Sequence, residues 1–294
     1  MSRGSGFSGL PCAYVIKHGD LELRIAVVNI SDLHLHEELV PGFLEELARE
    51  IEGDGYLRHP VIVDSGSLVV LDGMHRVDAL KIIGCRRIPA CLVDYWNPAI
   101  TVGCWYRTLM GRLSLGEVLN DVLKEGFDAV KVSDIEPGEV GVSPNAAAVK
   151  GGDGAVVVRK PFRSLDEAYA MVKRVEEVLR GRGLRVGFET ERDALQKFRA
   201  GEVDGVLMTP RVDKNSVISV ALAGRLFPHK TTRHVIPARP LFLNIPLDLL
   251  RGDEPLEEVN AEVAKLLKAR RLRMVPAGSL VEGRRYEEDV YIFE

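Results

Sequence analysis

The sequence lacks several features that would assign it to a familiar class. Its 294 residues contain four cysteines, Cys12, Cys85, Cys91 and Cys104, none spaced as a Cys-x-x-Cys pair, which argues against a structural zinc site. No apolar run approaches the roughly 20 residues that a membrane-spanning helix needs. The first residues also lack the apolar stretch of a secretory signal. We therefore expect a cytoplasmic protein with no membrane partner.

The chain also lacks an excess of positive charge. The chain has 39 Lys and Arg against 43 Asp and Glu, which gives a formal net charge of −4. General nucleic-acid binders usually carry a strong basic excess, so this balance argues against nucleic acid as a partner, although it allows a local basic cleft. A hydrophobic content of 46% is enough for a sizeable core, and the length fits two ordinary domains or one large one.

Hydrophobic periodicity predicts a mixed α/β chain. The N-terminal third shows two strands, a helix that opens with Glu37 and Glu38, a strand over 57–63, and a strand–turn–helix–strand pattern up to residue 93. Strands and helices then alternate from residue 155 onward, which is typical of an α/β layer. Loops are predicted for two stretches, because 133–154 is rich in Gly, Pro, Ser and Ala and 229–240 contains two prolines.

The stretch "LDGMHRVDALKIIGC", residues 71–85, is unusual for a strand-to-helix connection. Backbone N–H groups at a helix start point outward without intrahelical partners, and a preceding glycine lets a ligand approach them closely. An arginine in the first turn adds a fork that matches phosphate oxygens. Gly73, Met74, His75 and Arg76 therefore resemble an anion cradle. The alternative is an ordinary helix start with a surface arginine and a histidine bound to a backbone carbonyl.

A second cluster lies in "PHKTTRHVIP", residues 228–237. The cluster contains hydroxyl and basic side chains, which suit phosphoryl oxygens. These side chains are Lys230, Thr231, Thr232, Arg233 and His234. The alternative is a basic loop that only faces water. Two such clusters in one acidic protein favour a phosphorylated ligand.

A third element is "HLHEEL", in which Glu37 follows His34 and His36. A carboxylate at this place could take a proton from a hydroxyl as a general base. The alternative is an acid that only interacts with the dipole of the helix it opens.

Taken in order, "HEELVPGFLEEL", the DG-x-HR motif, "TVGCWY" and "KTTRHVIP" resemble the free L-serine kinases. DG-x-HR alone is shared with sulfiredoxins and ParB-type nucleotidases, whereas its combination with HEELV and KTTRH is much more specific. The resemblance implies an α+β chain whose residues 1–106 form a ParB/sulfiredoxin-like nucleotide-binding and catalytic domain. Residues 107–294 would form a second α/β domain that carries the KTTRH loop, with a ligand cleft between the two domains.

The resemblance also implies a reaction. These enzymes transfer a phosphoryl group from ATP or ADP, with magnesium, to the hydroxyl of free L-serine, and O-phospho-L-serine then serves cysteine biosynthesis or a siderophore precursor. The C-terminal stretches "LFLNIPLDLL" and "EEDVYIFE" look more like those of the members that use ATP. The expected partners are the nucleotide and serine, and the expected state is a monomer or small homo-oligomer.

By position, the resemblance assigns Glu37 as the catalytic base and places Asp72 near the reacting hydroxyl or the magnesium. Phosphate contacts fall on Gly73, Met74, His75, Arg76, Lys230, Thr231, Thr232 and Arg233. The serine pocket would contain His36, Trp105 and His234. No residue is assigned as a metal ligand. Met74 departs from the archaeal ADP-dependent members, which tend to have histidine there, so only its backbone amide is expected to act.

Three other functions fit parts of the pattern. A ParB-like DNA-binding or regulatory protein is one, and the net charge of −4 argues against it. A nucleotide hydrolase on the same fold, with water in place of serine, is the second. A sulfiredoxin-type reductase needs a reactive cysteine inside the HR turn, where this chain has Met74.

Overall fold

The computed structural model describes residues 11–39 and 41–294. The chain divides into two compact units, of which the second is Val102–Arg233. The first consists of the residues up to Thr101 together with His234–Glu294. The resemblance suggested a single domain boundary after residue 106. In the structure the chain enters the second unit after Thr101 and returns to the first unit at His234. The expected mixture of helices and sheets is confirmed.

The first unit begins with a five-stranded sheet of order β1-β2-β6-β4-β5. Strands β4 and β6 run parallel and are buried throughout, whereas the other pairings are antiparallel. Strand β5 lies at the end of this order, and helix α2 follows it directly. The elements are β1 (Tyr14–His18), β2 (Leu21–Asn29), a 3-10 turn (Ile30–Asp32), α1 (Pro41–Asp54), β3 (Tyr56–Leu57), β4 (Val61–Asp64), β5 (Val70–Asp72), α2 (Met74–Ile82) and β6 (Arg87–Val93).

The predicted start of the first helix is wrong. Helix α1 begins at Pro41, and its first turn contains no acidic residue. Proline suits the first helical position because its φ is already helical and its missing N–H is not needed there. The residues before it are extended instead: the His34 amide donates to the Leu68 carbonyl at 3.0 Å, and the Val70 amide donates to the His34 carbonyl at 2.9 Å. Glu37 therefore does not stand in the first turn of α1.

The second unit contains an antiparallel sheet of order β11-β7-β12-β9-β10-β8. Helices α3 and α4 cover it, α3 against β8 and β10 and α4 against β9 and β11. The elements are β7 (Thr101–Met110), α3 (Leu115–Lys124), β8 (Asp128–Val132), a 3-10 turn (Pro137–Glu139), β9 (Asn145–Gly151), β10 (Gly154–Arg159), α4 (Leu165–Gly181), β11 (Arg185–Thr190), α5 (Glu191–Arg199), β12 (Gly205–Met208) and α6 (Lys214–Leu222). Strand β13 (Thr232–Val235) spans the point in the sequence where the second unit ends and the first resumes.

Two predicted loops contain strands. Strand β9 lies within 133–154, and Ala146 to Ala148 are fully buried between β12 and β10. Alanine is disfavoured in strands, so the sequence is typical of a loop, yet its small side chain suits a central strand that helix α4 covers. The stretch 229–240 contains β13 and the start of β14, whose Pro240 is tolerated because β14 is an edge strand.

The C-terminal part of the first unit adds a three-stranded sheet of order β14-β19-β16. Helix α8 (Leu256–Lys268), which precedes β16, is joined to the five-stranded sheet by Asn260, whose side chain accepts from the Val27 amide at 2.8 Å and donates to the Val27 carbonyl at 3.0 Å. The elements are β14 (Ala238–Leu241), β15 (Ile245–Pro246), α7 (Leu247–Arg251), α8 (Leu256–Lys268), β16 (Leu272–Val275), β17 (Leu280–Val281), β18 (Arg284–Arg285) and β19 (Asp289–Phe293).

Across the described ranges, 11–39 and 41–294, no helix is both long enough and apolar enough to cross a bilayer.

Candidate active site

The DG turn, residues 72–76, connects β5 to α2. Gly73 has φ +94°, a left-handed conformation that glycine adopts without steric cost. A Cβ atom at this position would lie 2.6 Å from Nη2 of Arg76, closer than carbon and nitrogen can approach. The turn thus requires glycine twice, once for its backbone angle and once because the Arg76 guanidinium packs against the backbone. The strand–turn–helix connection predicted from the sequence is confirmed.

Arg76 binds the turn to the rest of the unit. Its Nη1 donates to the carbonyls of His59 at 3.1 Å and Pro60 at 2.5 Å, and its Nη2 donates to Oδ2 of Asp72 at 3.2 Å. The side chain is only 20% exposed. Arg76 therefore has a structural role that the sequence did not indicate. Phosphate binding by Arg76 and by the amides that open α2, at Met74 and His75, stays a prediction.

Asp72 is held by a second arginine as well. Nη1 of Arg239 lies 2.8 Å from Asp72 Oδ2, and Nε of Arg239 is paired with Oε1 of Glu288. Desolvation acts to raise the pKa of Asp72, but the guanidinium groups of Arg76 and Arg239 outweigh it and hold this pKa below its ordinary value. Asp72 is thus a carboxylate at neutral pH. Sequence reasoning missed Arg239 and Glu288, because nothing in their spacing marks two residues so far from the turn.

The predicted serine-pocket histidines lie together beside Glu37. His36 is fully buried, and burial lowers its pKa to about 4 even though a hydrogen bond to the Val70 backbone acts in the opposite direction. Its ring packs edge-on against the ring of His234, with centroids 5.3 Å apart. His234 Nε2 is hydrogen-bonded to the Tyr95 hydroxyl at 2.8 Å. His36 is therefore neutral at physiological pH, and Glu37, 6% exposed, follows it directly.

The second unit places Trp105 next to the basic cluster. The Lys230 Nζ lies 5.1 Å from the centroid of the indole ring, and the Arg233 guanidinium carbon lies 5.8 Å from it. Cations at these distances are attracted to the negative face of an indole ring. The indole N–H donates to the Thr232 carbonyl at 3.0 Å. Trp105 thus supports the loop that carries the predicted phosphate-binding residues, a contact that the sequence motif alone did not define.

Within that loop, the two neighbouring residues Lys230 and Thr231 differ in what they can offer a ligand. Thr231 is fully buried, and its hydroxyl donates to the Pro228 carbonyl at 2.7 Å, so this hydroxyl serves the loop itself. Lys230 has φ +60°, an uncommon conformation for a residue with a side chain. The strained backbone and the hydroxyl bond indicate a loop of defined shape. Phosphate contacts by Lys230 and Thr231 stay predictions.

A cavity of about 590 Å³ lies in the first unit on the α1 side of Arg76. Leu47, Ile51, Tyr56 and Leu57 contribute apolar surface, and His59 lines it as well. Burial, followed by the charges of nearby arginines, lowers the pKa of His59 to about 3. Because His59 Nδ1 accepts from the Phe242 amide at 3.1 Å, its Nε2 carries the proton. The cavity is thus bordered by a neutral histidine that has one N–H to donate.

Comparisons with known proteins agree with the resemblance that the motifs suggested. No protein-family model matches the sequence. An ATP-dependent L-serine kinase from Staphylothermus marinus is 28% identical over 232 residues, which is 76% of this chain and 90% of that protein. An ADP-dependent L-serine kinase from Thermococcus kodakarensis is 26% identical over 235 residues, again 76% of this chain and 91% of that protein. This chain is related to the free L-serine kinases.

The fold agrees with this relationship. The solved structure of a free serine kinase in complex with AMP superimposes with a TM-score of 0.64, at 24% sequence identity over 77% of this chain and 93% of that one. At this identity the likeness concerns the fold alone. The resemblance predicted from the short motifs is thus confirmed over most of the chain, well beyond the residues that suggested it.

The donor set at the DG turn is compatible with magnesium. The described part of the chain contains no group of three or more His, Cys, Asp or Glu that could hold a metal ion by itself. Mg²⁺ bound with a nucleotide usually takes only one or two carboxylates, together with water and phosphate oxygens. Asp72, ionised and 40% exposed, is a carboxylate of that kind.

Proposed function

We propose that this protein is a nucleotide-dependent free L-serine kinase, which transfers a phosphoryl group to the serine hydroxyl and forms O-phospho-L-serine. The observation that carries the proposal is the position of Glu37 relative to the DG turn. His34 forms a parallel bridge with Val69, and the Val70 amide donates to its carbonyl, so the segment that carries Glu37 runs beside the strand that leads into the DG turn. Glu37 is buried on that segment, and the ionised Asp72 ends β5.

Glu37 is the general base of the proposed reaction. It takes the proton as the serine oxygen forms a bond to the phosphorus atom, and the bond from phosphorus to the leaving oxygen of the nucleotide breaks. Phosphoryl transfer depends mainly on alignment and on charge stabilisation around the moving group. The amides that open α2 would donate to its oxygens, and phosphate contacts by Lys230 and Arg233 stay predictions of the resemblance. A bound Mg²⁺, held by Asp72, would neutralise phosphate charge.

We assign the serine pocket to the side chains beside Glu37. His36 is kept neutral by burial, and His234 is oriented by the Tyr95 hydroxyl, so both rings present defined hydrogen-bonding atoms. A small zwitterion such as serine needs such fixed polar groups more than it needs apolar surface. The assignment of Trp105 to the serine pocket stays a prediction of the resemblance.

The cavity lined by Leu47, Ile51, Tyr56 and Leu57 is proposed to hold the nucleoside. About 590 Å³ falls within the usual range for small-molecule sites, roughly 300–1,000 Å³. Its apolar surface suits a base, and Arg76 connects its wall to the DG turn. The phosphates would then extend toward the start of α2. The first unit is proposed to have a ParB/sulfiredoxin-like fold, for which the strand–DG turn–helix unit is the support.

The nucleotide itself is open to direct test. The two serine kinase relatives differ in donor, one with ATP and one with ADP, and the C-terminal stretches favour ATP. The protein should be incubated with magnesium and either nucleotide across a panel of free amino acids, with products identified by ³¹P NMR and mass spectrometry. We expect phosphoserine from serine alone, formed faster with ATP. Nucleotide turnover that does not depend on serine would indicate a hydrolase instead.

The metabolic role follows from the product. O-phospho-L-serine has an activated β-carbon, so the next enzyme in the cell is proposed to replace its phosphate, as in cysteine biosynthesis. The DNA-binding alternative predicts a shifted band with specific DNA at moderate salt, whereas a chain with a net charge of −4 is expected to show none.

A further inference from the structure

A row of alternating charges runs from the DG turn into the C-terminal part of the chain. Arg76 and Arg239 both contact Oδ2 of Asp72, at 3.2 Å and 2.8 Å. The Nε edge of Arg239 is paired with Glu288. The order is therefore Arg76, Asp72, Arg239, Glu288, and each charge has an opposite charge beside it. The four motifs that suggested a kinase include neither Arg239 nor Glu288, although Glu288 lies in the C-terminal stretch that resembles the ATP-dependent members.

The C-terminal sheet places these two residues together. Strands β14 and β19 run parallel, with Arg239 opposite Val290, and Glu288 lies immediately before β19. The sheet is anchored by a buried apolar cluster formed by Leu241, Val275, Tyr286, Val290 and Ile292. Because backbone pairing and core packing both determine this register, Glu288 has a defined position beside Arg239.

Asp72 is the most exposed member of the row. The side chains of Arg76, Arg239 and Glu288 are 20%, 16% and 15% exposed, whereas that of Asp72 is 40% exposed. Charge pairs that are withdrawn from water interact more strongly than exposed ones, and a guanidinium with an acid on each of two edges has a defined orientation. Both arginines contact the same oxygen, Oδ2 of Asp72, so Oδ1 is the oxygen that can turn to a ligand.

We propose that Arg239 and Glu288 are positioning residues that orient the Asp72 carboxylate, with Glu288 acting only through Arg239. This inference rests on the proposed kinase function, in which Asp72 faces the magnesium or the reacting hydroxyl. A lysine could not replace Arg239, because one ammonium group cannot contact Asp72 and Glu288 through two separate edges. The C-terminal sheet would then contribute to catalysis without touching the substrate.

A double-mutant cycle tests the proposal. Arg239→Met should lower kcat about 10- to 100-fold, the usual effect of removing an outer partner of a ligating carboxylate. Glu288→Gln should lower kcat less, and adding it to Arg239→Met should have no further effect. Arg239→Lys should fall between wild type and Arg239→Met. Arg273→Met is the matched control, because Arg273 pairs with Glu294 in the same sheet at 2.6 Å and should leave kcat unchanged.

The pH profile separates positioning from a purely structural effect. Without the positive charge of Arg239, the acid limb of kcat/KM should move to higher pH, because protonation of Asp72 becomes easier. Glu288→Gln should not move it in that direction. Urea unfolding of each variant identifies any general loss of folding. Additive losses in the double mutant, an unmoved acid limb in Arg239→Met, or an equal loss in Arg273→Met would each overturn the proposal.

The proposal and the kinase function can fail separately. If the wild-type protein shows no serine-dependent turnover, the proposed function fails. The Asp72 carboxyl can still be titrated by ¹³C NMR, with its signal assigned through Asp72→Asn. A higher Asp72 pKa in Arg239→Met than in wild type supports the coupling, and the same pKa in both overturns it whatever the reaction is.

Discussion

Replacing Gly73 with alanine tests the geometry of the DG turn most directly. At φ +94° any residue with a side chain is strained, and this costs about 1–2 kcal/mol. The new Cβ would also meet the Arg76 guanidinium, at 2.6 Å from Nη2. Arg76 cannot swing aside freely, because it donates to two carbonyls and to Asp72. Losing even one such charged hydrogen bond costs about 1.5–3 kcal/mol, in addition to the backbone strain.

Gly84 supplies the matched control. It has φ +77°, and a Cβ built there has nothing within 4 Å, so Gly84→Ala introduces the strain without the clash. We expect urea unfolding to show a loss of about 1–2 kcal/mol for Gly84→Ala and about 1.5–3 kcal/mol more for Gly73→Ala. Only Gly73→Ala should also lower kcat/KM. Equal losses of stability in the two variants, with both fully active, would refute the role assigned to the packing of Arg76 on the turn.

Further predictions concern Glu37, the nucleoside cavity and His36. Glu37→Gln should lower kcat roughly 100- to 10,000-fold while calorimetry shows unchanged nucleotide affinity, and Glu38→Gln should be nearly fully active; a Glu37→Gln variant with normal kcat would exclude the base role. Leu47→Trp should fill the cavity and raise the KM for nucleotide but not for serine; unchanged values would exclude this nucleoside site. Burial lowers the pKa of His36 from 6.5 to about 4, so between these pH values the unfolded chain binds a proton that the folded chain does not. The free energy of unfolding should therefore fall by about 3 kcal/mol as the pH drops from above 6.5 toward 4. His36→Asn should flatten that part of the stability profile in urea titrations, and an equally steep profile would contradict the prediction.

Local features of the fold could be predicted because they depend on neighbouring residues. The hairpin of β1 and β2, the DG turn with its glycine, and the helix over 74–82 all follow from turn chemistry and periodicity. The prediction failed where tertiary context decided. Ala146 to Ala148 form a buried central strand despite a poor strand propensity, and Pro41 moved a helix start that the acids at 37 and 38 had suggested.

The same division holds for the candidate site. Short motifs identified Glu37, Asp72 and the basic loop, because a phosphate ligand requires particular side chains in close sequence. They also led to the free L-serine kinases, a relationship that the comparisons confirm. The motifs did not show that the Arg76 guanidinium is used largely to hold its own turn. The carbonyls that it contacts, those of His59 and Pro60, lie on the connection between β3 and β4.

By itself, then, the sequence determined the chemistry that the protein can carry: which acids, amides and cations are available, and in which turns they stand. Only the tertiary structure decided how those groups are held. Arg239 reaches Asp72 across 167 residues of sequence, a parallel strand pair sets Glu288 beside Arg239, and Asn260 binds Val27 in the same C-terminal part of the chain. Such pairings depend on packing between distant segments, which leaves no periodicity or spacing for a sequence to reveal.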